Sequence, residues 1–458
     1  MIVSIDKDLC TGCQECVKVC PAYAITGEPN KPQEINPDRC VICGQCVQVC
    51  KSYASIIDNG EEFVENKKHE RKIPDVINEP LFAANNVCDV DKVKAALKDP
   101  TKITMVQCAP AVRVALGEDF GMELGSLTPG KMAAALKALK FDKVYDTNFA
   151  ADLTIMEEGN ELIKRIQEGG TLPMFTSCCP AWVKFLETNY PELTDHLSSC
   201  KSPQQMGGAV FKTYGAKVNN IDAKDIYSVS IMPCTCKKFE CDRPEMNSSG
   251  YRDVDAVLTT RELAYLIKDA GIDFNSLEEI PFESPLGVYT GAGTIFGVTG
   301  GVMEAALRTA YEVITGEEIP SIDIPAVRGS DGFRTAEVKI GELTLKVGVV
   351  TNLKNVVPVL EDLKAGKLDL HFIEVMTCPV GCVSGGGQPK LLLEEYREIA
   401  YNNRIKSTYT HDANLPLRKS HTNPEITKIY SEFLKEPLGE ISHHLLHTKY
   451  CIGKEVTK

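Results

Sequence analysis

The stretch Glu374-Val-Met-Thr-Cys-Pro-Val-Gly-Cys-Val-Ser-Gly-Gly-Gly-Gln-Pro389 places two cysteines four residues apart in a loop rich in glycine and proline. Two further stretches share this character: Thr176-Ser-Cys-Cys-Pro-Ala-Trp182 and Met232-Pro-Cys-Thr-Cys-Lys-Lys-Phe-Glu240. Each follows a short apolar run, and loops that follow strands are where α/β proteins build their sites. Four thiolates gathered in such loops can hold an iron–sulfur cluster. The three stretches therefore predict an α/β domain with an iron–sulfur site.

An internal repeat near the amino terminus carries the pattern Cys-x2-Cys-x2-Cys-x3-Cys twice. In bacterial two-cluster ferredoxins, three cysteines of each run hold one cubane and the fourth ligates the other. This spacing assigns one 4Fe–4S cluster to Cys10, Cys13, Cys16 and Cys50, and the second to Cys20, Cys40, Cys43 and Cys46. A pair of zinc sites is the alternative, but zinc ligands come as separated pairs. The module is predicted to carry electrons.

Composition favours a soluble protein of two or three domains. The chain has 458 residues, 43% of them apolar, and 19 cysteines. Because many of the cysteines are clustered, metal sites are favoured over a disulfide scaffold. The amino terminus lacks a signal sequence, and no apolar run reaches the roughly 18 residues that span a bilayer. We therefore expect a cytoplasmic protein that does not bind membranes, and the net charge of −13 disfavours nucleic acid.

The predicted organisation is an α+β ferredoxin-like two-cluster domain followed by a larger α/β domain. We place the first domain at residues 1–75, a linker at 76–100, the large domain at 101–400 and a carboxy-terminal segment at 401–458. In the large domain, Ile103–Cys108 and Tyr227–Met232 are predicted strands, and 131–139 and 150–166 are predicted helices, the second ending at Gly169-Gly170. The glycines of 291–301 lack phosphate-loop spacing and indicate close approach of backbone to a buried site.

The three cysteine stretches resemble the signature motifs of the FeFe hydrogenases, which interconvert dihydrogen with protons and electrons. The resemblance covers almost the whole chain and implies an α/β H-cluster domain. It implies a cubane held by Cys179, Cys234, Cys378 and Cys382. Cys382 would also bridge to a two-iron unit that carries CO, cyanide and an azadithiolate, and the cubane and the two-iron unit together are called the H-cluster. The lysine that donates to a cyanide is Lys237 by this match. The pocket around the two-iron unit is matched by Ala109, Pro110, Gln204, Met232, Pro233, Phe296 and Met376.

The resemblance also implies a proton path. Its members are matched by Cys178, Glu158, Ser198, Glu161 and Arg165. A thiol with a pKa near neutrality suits the step next to the cluster. Glu158, Glu161 and Arg165 are spaced to lie along one helix face. From spacing alone, a surface ion pair between Glu161 and Arg165 is the simpler alternative, worth less than about 1 kcal/mol.

The remaining features are interpreted as structural. Isolated cysteines are expected to be buried apolar residues: Cys88, Cys108, Cys200, Cys241 and Cys451. The tail, with its histidines near residue 445, resembles the family's small subunit fused to the chain. Four residues depart from common family choices: Ala111, Ala181, Thr377 and Val380. They place rate, catalytic bias and oxygen tolerance in doubt, but none removes a predicted ligand.

Three function classes follow from the resemblance. The first is a working hydrogenase with dihydrogen and protons as substrates, ferredoxin or a similar small carrier as electron partner, and maturation proteins that build the two-iron unit. A hydrogen sensor and a non-catalytic iron–sulfur assembly factor are the alternatives. Sensors usually carry a signalling domain and a disrupted proton path, whereas assembly factors lose the cysteine and lysine that match Cys178 and Lys237. The matched proton-path residues are all present, as are Cys178 and Lys237, so a working hydrogenase is favoured.

Overall fold

The computed structural model describes residues 1–54 and 81–450. Its strands are β1 Val3–Ile5, β2 Ile25–Thr26, β3 Glu34–Ile35, β4 Tyr53–Ala54, β5 Leu81–Phe82, β6 Ala84–Asn86, β7 Ile103–Cys108, β8 Lys143–Asp146, β9 Met174–Phe175, β10 Ile226–Met232, β11 Ala256–Thr259, β12 Phe333–Ile340, β13 Leu343–Thr351 and β14 Phe372–Met376. Its α-helices are α1 Glu15–Val19, α2 Gln45–Val49, α3 Val90–Lys98, α4 Pro129–Ala138, α5 Thr147–Glu168, α6 Pro180–Asn189, α7 Pro203–Val210, α8 Ala216–Asn219, α9 Cys236–Cys241, α10 Thr260–Asp269, α11 Gly291–Ile295, α12 Gly301–Thr315, α13 Val356–Lys364, α14 Glu394–Asn414, α15 Pro424–Ile429 and α16 Glu440–Leu446. Within these ranges, no helix combines the length and apolar character that crossing a bilayer requires.

The amino-terminal part is built from two short cysteine-bearing helices and three pairs of short strands. Helices α1 and α2 each start after a residue with left-handed backbone, Gln14 (φ 62°) and Gly44 (φ 73°). This shared turn repeats the local fold of each cysteine run. Strand β6 pairs antiparallel with β1, and β5 pairs with β4. Residues 81–86, assigned to the linker from sequence, therefore pair with strands of the amino-terminal part, and residues 55–80 lie outside the described ranges.

The large part contains two four-stranded sheets. The first has the order β11-β10-β7-β8 and is parallel, and the second has the order β12-β13-β14-β9. The predicted strand Ile103–Cys108 is confirmed, and the second predicted strand begins one residue earlier than expected. Both strands are almost wholly buried and mostly apolar or β-branched, apart from Gln107, Ser228 and Ser230, as expected for parallel strands covered on both faces.

The long helix α5 carries three residues of the predicted proton path, Glu158, Glu161 and Arg165, and it is longer than the helix predicted from sequence. It starts at Thr147 because the Asp146 side chain accepts from the backbone N–H of Asn148, a standard cap. It ends at Gly169, whose φ of 74° is readily adopted by glycine, as predicted. The helix is therefore three residues longer at its start than the predicted 150–166.

The glycines of 291–301 allow close packing between helices. A Cβ at Gly293 would lie 2.4 Å from the Asn148 carbonyl oxygen of α5, and a Cβ at Gly301 would lie 1.7 Å from the Ile295 oxygen. The backbone does approach closely here, but in these two places its partner is neighbouring main chain and not the predicted buried site. This packing holds α11 against α5.

The amino-terminal part docks on the loop that follows β14 through buried hydrogen bonds. From α2, Gln45 Nε2 donates to the Ser384 carbonyl (3.0 Å) and Gln48 Nε2 donates to the Gln388 carbonyl (2.8 Å). The Thr235 hydroxyl donates to the Ile42 carbonyl at 2.6 Å. These bonds join the second cysteine run to the loops that hold the cysteines of the second and third motifs.

We expect Gly386→Ala to weaken this contact. A Cβ at Gly386 would lie 2.2 Å from the carbonyl oxygen of Cys43 and 2.6 Å from Gly44 Cα, so the main chains must move apart. Overpacking of this kind costs about 1–3 kcal/mol, so the melting temperature of a chain this long should fall by about 1–3 °C. Gly159→Ala is the control, because nothing lies within 4 Å of its Cβ. Equal melting temperatures for the two variants would contradict the expected strain.

Candidate metal centre and proton path

The structure brings the amino-terminal cysteines together in the two predicted sets. Burial, and then the thiols of Cys10, Cys13 and Cys50, raise the pKa of Cys16 to about 12. Burial also raises the pKa of Cys46 well above its usual value, and its strongest neighbours are Cys43, Cys40 and Cys20 in that order. Each fourth cysteine thus faces the three cysteines of the other run.

The second set fits a cubane. Its four cysteines line one small cavity together with apolar side chains, chiefly Val3, Ile25, Ile35, Val41 and Ile42. Backbone N–H groups already point at the sulfurs, from Ala24 to Cys20 (3.3 Å) and from Ile42 to Cys40 (3.4 Å). Such N–H···S contacts are what tune the potential of an iron–sulfur cluster.

Four cysteines meet where the loops after β9, β10 and β14 converge. Burial and then Cys179 raise the pKa of Cys234 to about 11, and burial with Cys179 and Cys234 raises that of Cys382 to about 12. Burial also raises the pKa of Cys378, followed in effect by Cys234, Cys382 and Cys179. Buried thiols this close disfavour joint ionisation unless a cation replaces their protons, as cluster iron does.

Cys378 is buried, whereas Cys178, Cys179, Cys234 and Cys382 are only half-buried. From this partial exposure we infer a hollow beside the sulfurs. The four predicted ligands are free thiols. The Cys179 thiol donates to the Thr377 hydroxyl at 3.3 Å, and a Cys179 thiolate would accept from the same hydroxyl. This donor set and its hollow fit a thiolate-bound cubane.

Lys237 lies at the edge of this hollow on α9. Its ammonium donates to both carboxylate oxygens of Glu240 (3.0 and 2.9 Å) and to the carbonyl oxygen of Cys178 (3.0 Å). Glu240 also accepts from Ser202 and Gln204. Burial acts to lower the pKa of Lys237, but the Glu240 carboxylate holds it above its usual value. A charged, fixed lysine is the result.

The predicted pocket residues stand at strand ends and loop starts. Met232 and Met376 are the last residues of β10 and β14, and Ala109 and Pro110 directly follow β7. Phe296 follows α11 and is buried. Both polar atoms of the Gln204 side-chain amide are hydrogen-bonded, because Oε1 accepts from Ser230 (2.7 Å) and Nε2 donates to Glu240 (3.0 Å). Pro233 follows Met232, and its carbonyl accepts from the Gly387 N–H at 2.8 Å.

The predicted proton-path residues form a line from Cys178 outward. The Ser198 hydroxyl donates to Glu161 Oε2 (2.8 Å), and Arg165 donates to Glu161 Oε1 (2.7 Å). The Glu158 carboxylate is fully buried, and neither oxygen has a hydrogen-bond partner in the described part of the chain. The Ser198 hydroxyl and the Ser177 N–H lie near Glu158 and act to lower its pKa, but the Ser198 hydroxyl donates to Glu161. Burial, and next the Glu161 charge, raise the pKa of Glu158 to about 8.

Two expectations about this path need correction. The pKa of Cys178 is not near neutrality, because burial and the nearby Glu158 raise it well above its usual value. The Cys178 thiol therefore stays protonated. This suits a group that donates its proton and is then reprotonated by Glu158. The Glu161–Arg165 pair does exist, but the side chains are only 11% and 16% exposed and Glu161 also accepts from the Ser199 N–H. It is not a solvated surface pair.

We expect Glu158→Gln to remove the pH dependence of stability that this carboxyl contributes. A carboxyl with a folded pKa near 8 is ionised more easily in the unfolded chain, where the pKa is near 4.5. Wild-type stability should therefore decline as pH rises from about 5 to 8, and the neutral amide should remove that decline. Thermal unfolding of both proteins at pH 5 and pH 8 measures it. A difference between variants that is independent of pH would contradict the raised pKa.

Comparison with known proteins decides the family. The model described as "Iron only hydrogenase large subunit, C-terminal domain" matches residues 102–386. This chain belongs to the iron-only hydrogenase family. Models for an iron hydrogenase small subunit and a 4Fe-4S dicluster domain match residues 398–451 and 2–51. The cofactors of this iron-only hydrogenase chain are 4Fe–4S clusters and an H-cluster.

Individual relatives agree with this placement. The NADP-reducing hydrogenase subunit HndD of Solidesulfovibrio fructosivorans is 52% identical over 78% of this chain, and the match covers 62% of HndD. The periplasmic [Fe] hydrogenase large subunit of Nitratidesulfovibrio vulgaris is 50% identical over 84% of this chain and 86% of its own length. A variant of the apo [FeFe]-hydrogenase HydA1 from Chlamydomonas reinhardtii matches in structure with a TM-score of 0.71, 41% identity, 80% of this chain and all of its own.

The assembly-factor branch is more distant. The cytosolic iron–sulfur assembly component 3 of Rattus norvegicus is 29% identical over 79% of this chain and 77% of its own length. The predicted α+β two-cluster domain followed by an α/β H-cluster domain is confirmed by the family models and the fold neighbours.

Some residues around the centre were not identified from sequence. Glu240 holds Lys237, and the i, i+3 spacing of these two residues on α9 is a signal that could have found it. Glu374, buried in β14, accepts from the backbone N–H groups of Gly300 (2.6 Å) and Met303 (2.8 Å) and so fixes the start of α12. No local pattern reveals that contact. Cys88, expected to be buried, is exposed just before α3.

Proposed function

We propose that this chain catalyses the reversible interconversion of dihydrogen with protons and electrons. One observation carries the proposal: four thiols converge on a hollow whose wall includes Cys178, with Glu158 behind it. Cys179, Cys234, Cys378 and Cys382 would hold the cubane, with Cys382 also reaching the two-iron unit. When bound, the H-cluster supplies iron at which dihydrogen is formed or split. The protein holds it in place and moves protons.

Proton transfer is proposed along Arg165, Glu161, Ser198, Glu158 and Cys178. Arg165 and Ser198 fix Glu161, which leaves the next carboxyl, Glu158, free of hydrogen bonds in the described ranges. Because its pKa is raised to about 8, Glu158 can be protonated near neutral pH and can return the proton readily. Lys237 is proposed to donate to a cyanide while Glu240 holds it. Around it, Ala109, Pro110, Gln204, Met232, Pro233, Phe296 and Met376 would exclude water.

Electrons are proposed to enter through two amino-terminal cubanes. The outer cubane would be held by Cys10, Cys13, Cys16 and Cys50 and the inner by Cys20, Cys40, Cys43 and Cys46. The inner set adjoins the centre, since the thiols of Cys43 and Cys234 interact electrostatically. A ferredoxin or a similar small carrier is the proposed partner, and maturation proteins would supply the two-iron unit. The proposed boundaries are 1–75, 76–100, 101–400 and 401–458, although residues 81–86 of the second range pair with strands of the amino-terminal part. The proposed location is cytoplasmic.

A turnover assay on the anaerobically matured protein tests this function. We expect sustained dihydrogen production from a reduced low-potential carrier, in the range of about 1–10³ per second that enzymes commonly reach. A Cys234→Ala protein, matured in the same way, is the matched control and should be inactive. An intact centre with negligible turnover would favour the sensor. A protein that takes up only 4Fe–4S clusters would favour the assembly factor.

A further inference from the structure

Lys390 places a buried amino group beside the amino-terminal cysteines. It follows Gln388-Pro389, the end of the third motif, and its Nζ atom is buried without a hydrogen-bond partner in residues 1–54 and 81–450. An ammonium in such a place is costly unless negative charge lies nearby. We therefore expect an anionic group close to the Lys390 side chain.

The contacts of Lys390 lead to the outer set of cysteines. Its Nζ lies 3.1 Å from the centre of the Phe82 ring, a cation–π contact. Phe82 pairs with Tyr53 across β4 and β5. Phe82 and Cys10 both pack against a small buried cluster that contains Cys50. The next strand donates the N–H of Ala84 to Cys50 Sγ at 3.3 Å.

The charges that face Lys390 are the thiols of the cysteine runs and two arginines. Burial is the largest influence on the pKa of Lys390 and lowers it to about 7. Cys50, and less strongly Cys46, favour the charged amine, whereas Arg261 and Arg397 oppose it. Gln48 fixes the loop by donating to the Gln388 carbonyl (2.8 Å), so the lysine is carried on a docked segment. A cubane held by Cys50 would supply the negative charge that this position requires.

We propose that Lys390 is the counter-charge of the outer amino-terminal cubane and favours its reduced state. This inference rests on the electron route of the proposed function. One electron from the carrier adds one unit of negative charge to the cubane and its four thiolates, and no bond forms or breaks. A fixed ammonium stabilises the more negative state more strongly. The large domain thereby sets the potential of a cluster in the amino-terminal domain.

Redox titration followed by electron paramagnetic resonance tests the proposal. The full chain is loaded with 4Fe–4S clusters only, so the readout does not depend on dihydrogen turnover or on the two-iron unit. In Lys390→Gln we expect one amino-terminal cluster to be harder to reduce by about tenfold, equivalent to a midpoint lower by 59 mV for one electron. Lys390→Met should show the same shift, and Lys390→Arg should stay near the wild type because it keeps the charge.

Lys51→Gln is the matched control, since it removes the same charge from an exposed position next to Cys50. Water and salt screen an exposed charge, so this midpoint should change little. Wild-type midpoints in both neutral Lys390 variants would overturn the proposal, as would equal shifts in Lys51→Gln and Lys390→Gln. If chains matured with the two-iron unit evolve no dihydrogen, the proposed function fails, but the midpoints measured on chains with 4Fe–4S clusters alone still test the role of Lys390.

Discussion

Cys178→Ala should lower dihydrogen turnover by about 10²–10⁴ fold while the iron content stays that of the wild type. The substitution removes the last proton carrier before the centre, and general acid–base steps contribute rate factors of this size. After burial, the Glu158 carboxyl is the strongest influence on the pKa of Cys178. No other described side chain of the proposed path links that carboxyl to the hollow. The four proposed cubane ligands are untouched by the change.

Cys241→Ala is the control for this experiment. Cys241 is also a buried free thiol, but it lies on α9 and donates to the Lys238 carbonyl at 3.2 Å. Its removal should leave turnover close to the wild-type rate. Cys178→Ser should remain slow, because a buried hydroxyl gives up its proton far less readily than a thiol. Loss of the cluster in Cys178→Ala would show a structural role and contradict the path.

Arg308→Met should destabilise the fold by about 3 kcal/mol. The fully buried guanidinium donates to both oxygens of Asp412 (2.9 and 2.8 Å) and to Glu304 (2.7 Å). It thereby joins α12 to α14 and the carboxy-terminal segment. Arg328 and Arg418 still pair with the two carboxylates in the variant, so the loss lies at the lower end of the range for a broken buried pair.

The pH dependence of this loss follows from Asp412. Burial acts to raise its pKa, but Arg308 and Arg418 together hold it below the usual 3.8. A depressed folded pKa gives stability above the unfolded pKa that is lost as pH falls, so the gap between variant and wild type should narrow below pH 4. Lys419→Met, which breaks the more exposed pair with Glu312, should cost less than about 1 kcal/mol. Chemical unfolding at pH 7 and below pH 4 measures both, and equal losses would contradict the buried network.

The parts of the fold that depend on local pattern could be predicted from sequence. Ile103–Cys108 is a continuous buried strand, and the cap at Asp146 with the stop at Gly169 defines α5. The cysteine spacing also anticipated that Cys16 would face Cys50 and that Cys46 would face Cys20. Each of these features depends on residues close together in the sequence, so the residue types and their spacing are enough to predict it.

The features that depend on distant contacts could not be predicted. Arg308 and Asp412 are 104 residues apart, and nothing in either segment marks the other as its partner. The pairing of residues 84–86 with β1 depends in the same way on a register set by tertiary packing. The raised pKa of Cys178 follows from burial, which a single sequence motif does not report. The site residues could be named, but not their electrostatics.

An infrared spectrum of the anaerobically matured protein tests the central claim most directly. Bands from iron-bound CO and cyanide are expected, because the hollow between Cys178 and Cys382 would hold the two-iron unit with Lys237 donating to a cyanide. The same bands should survive in Cys178→Ala. A spectrum without such bands, despite full loading with 4Fe–4S clusters and competent maturation, would contradict the account and leave an electron-transfer or assembly protein with a hydrogenase fold.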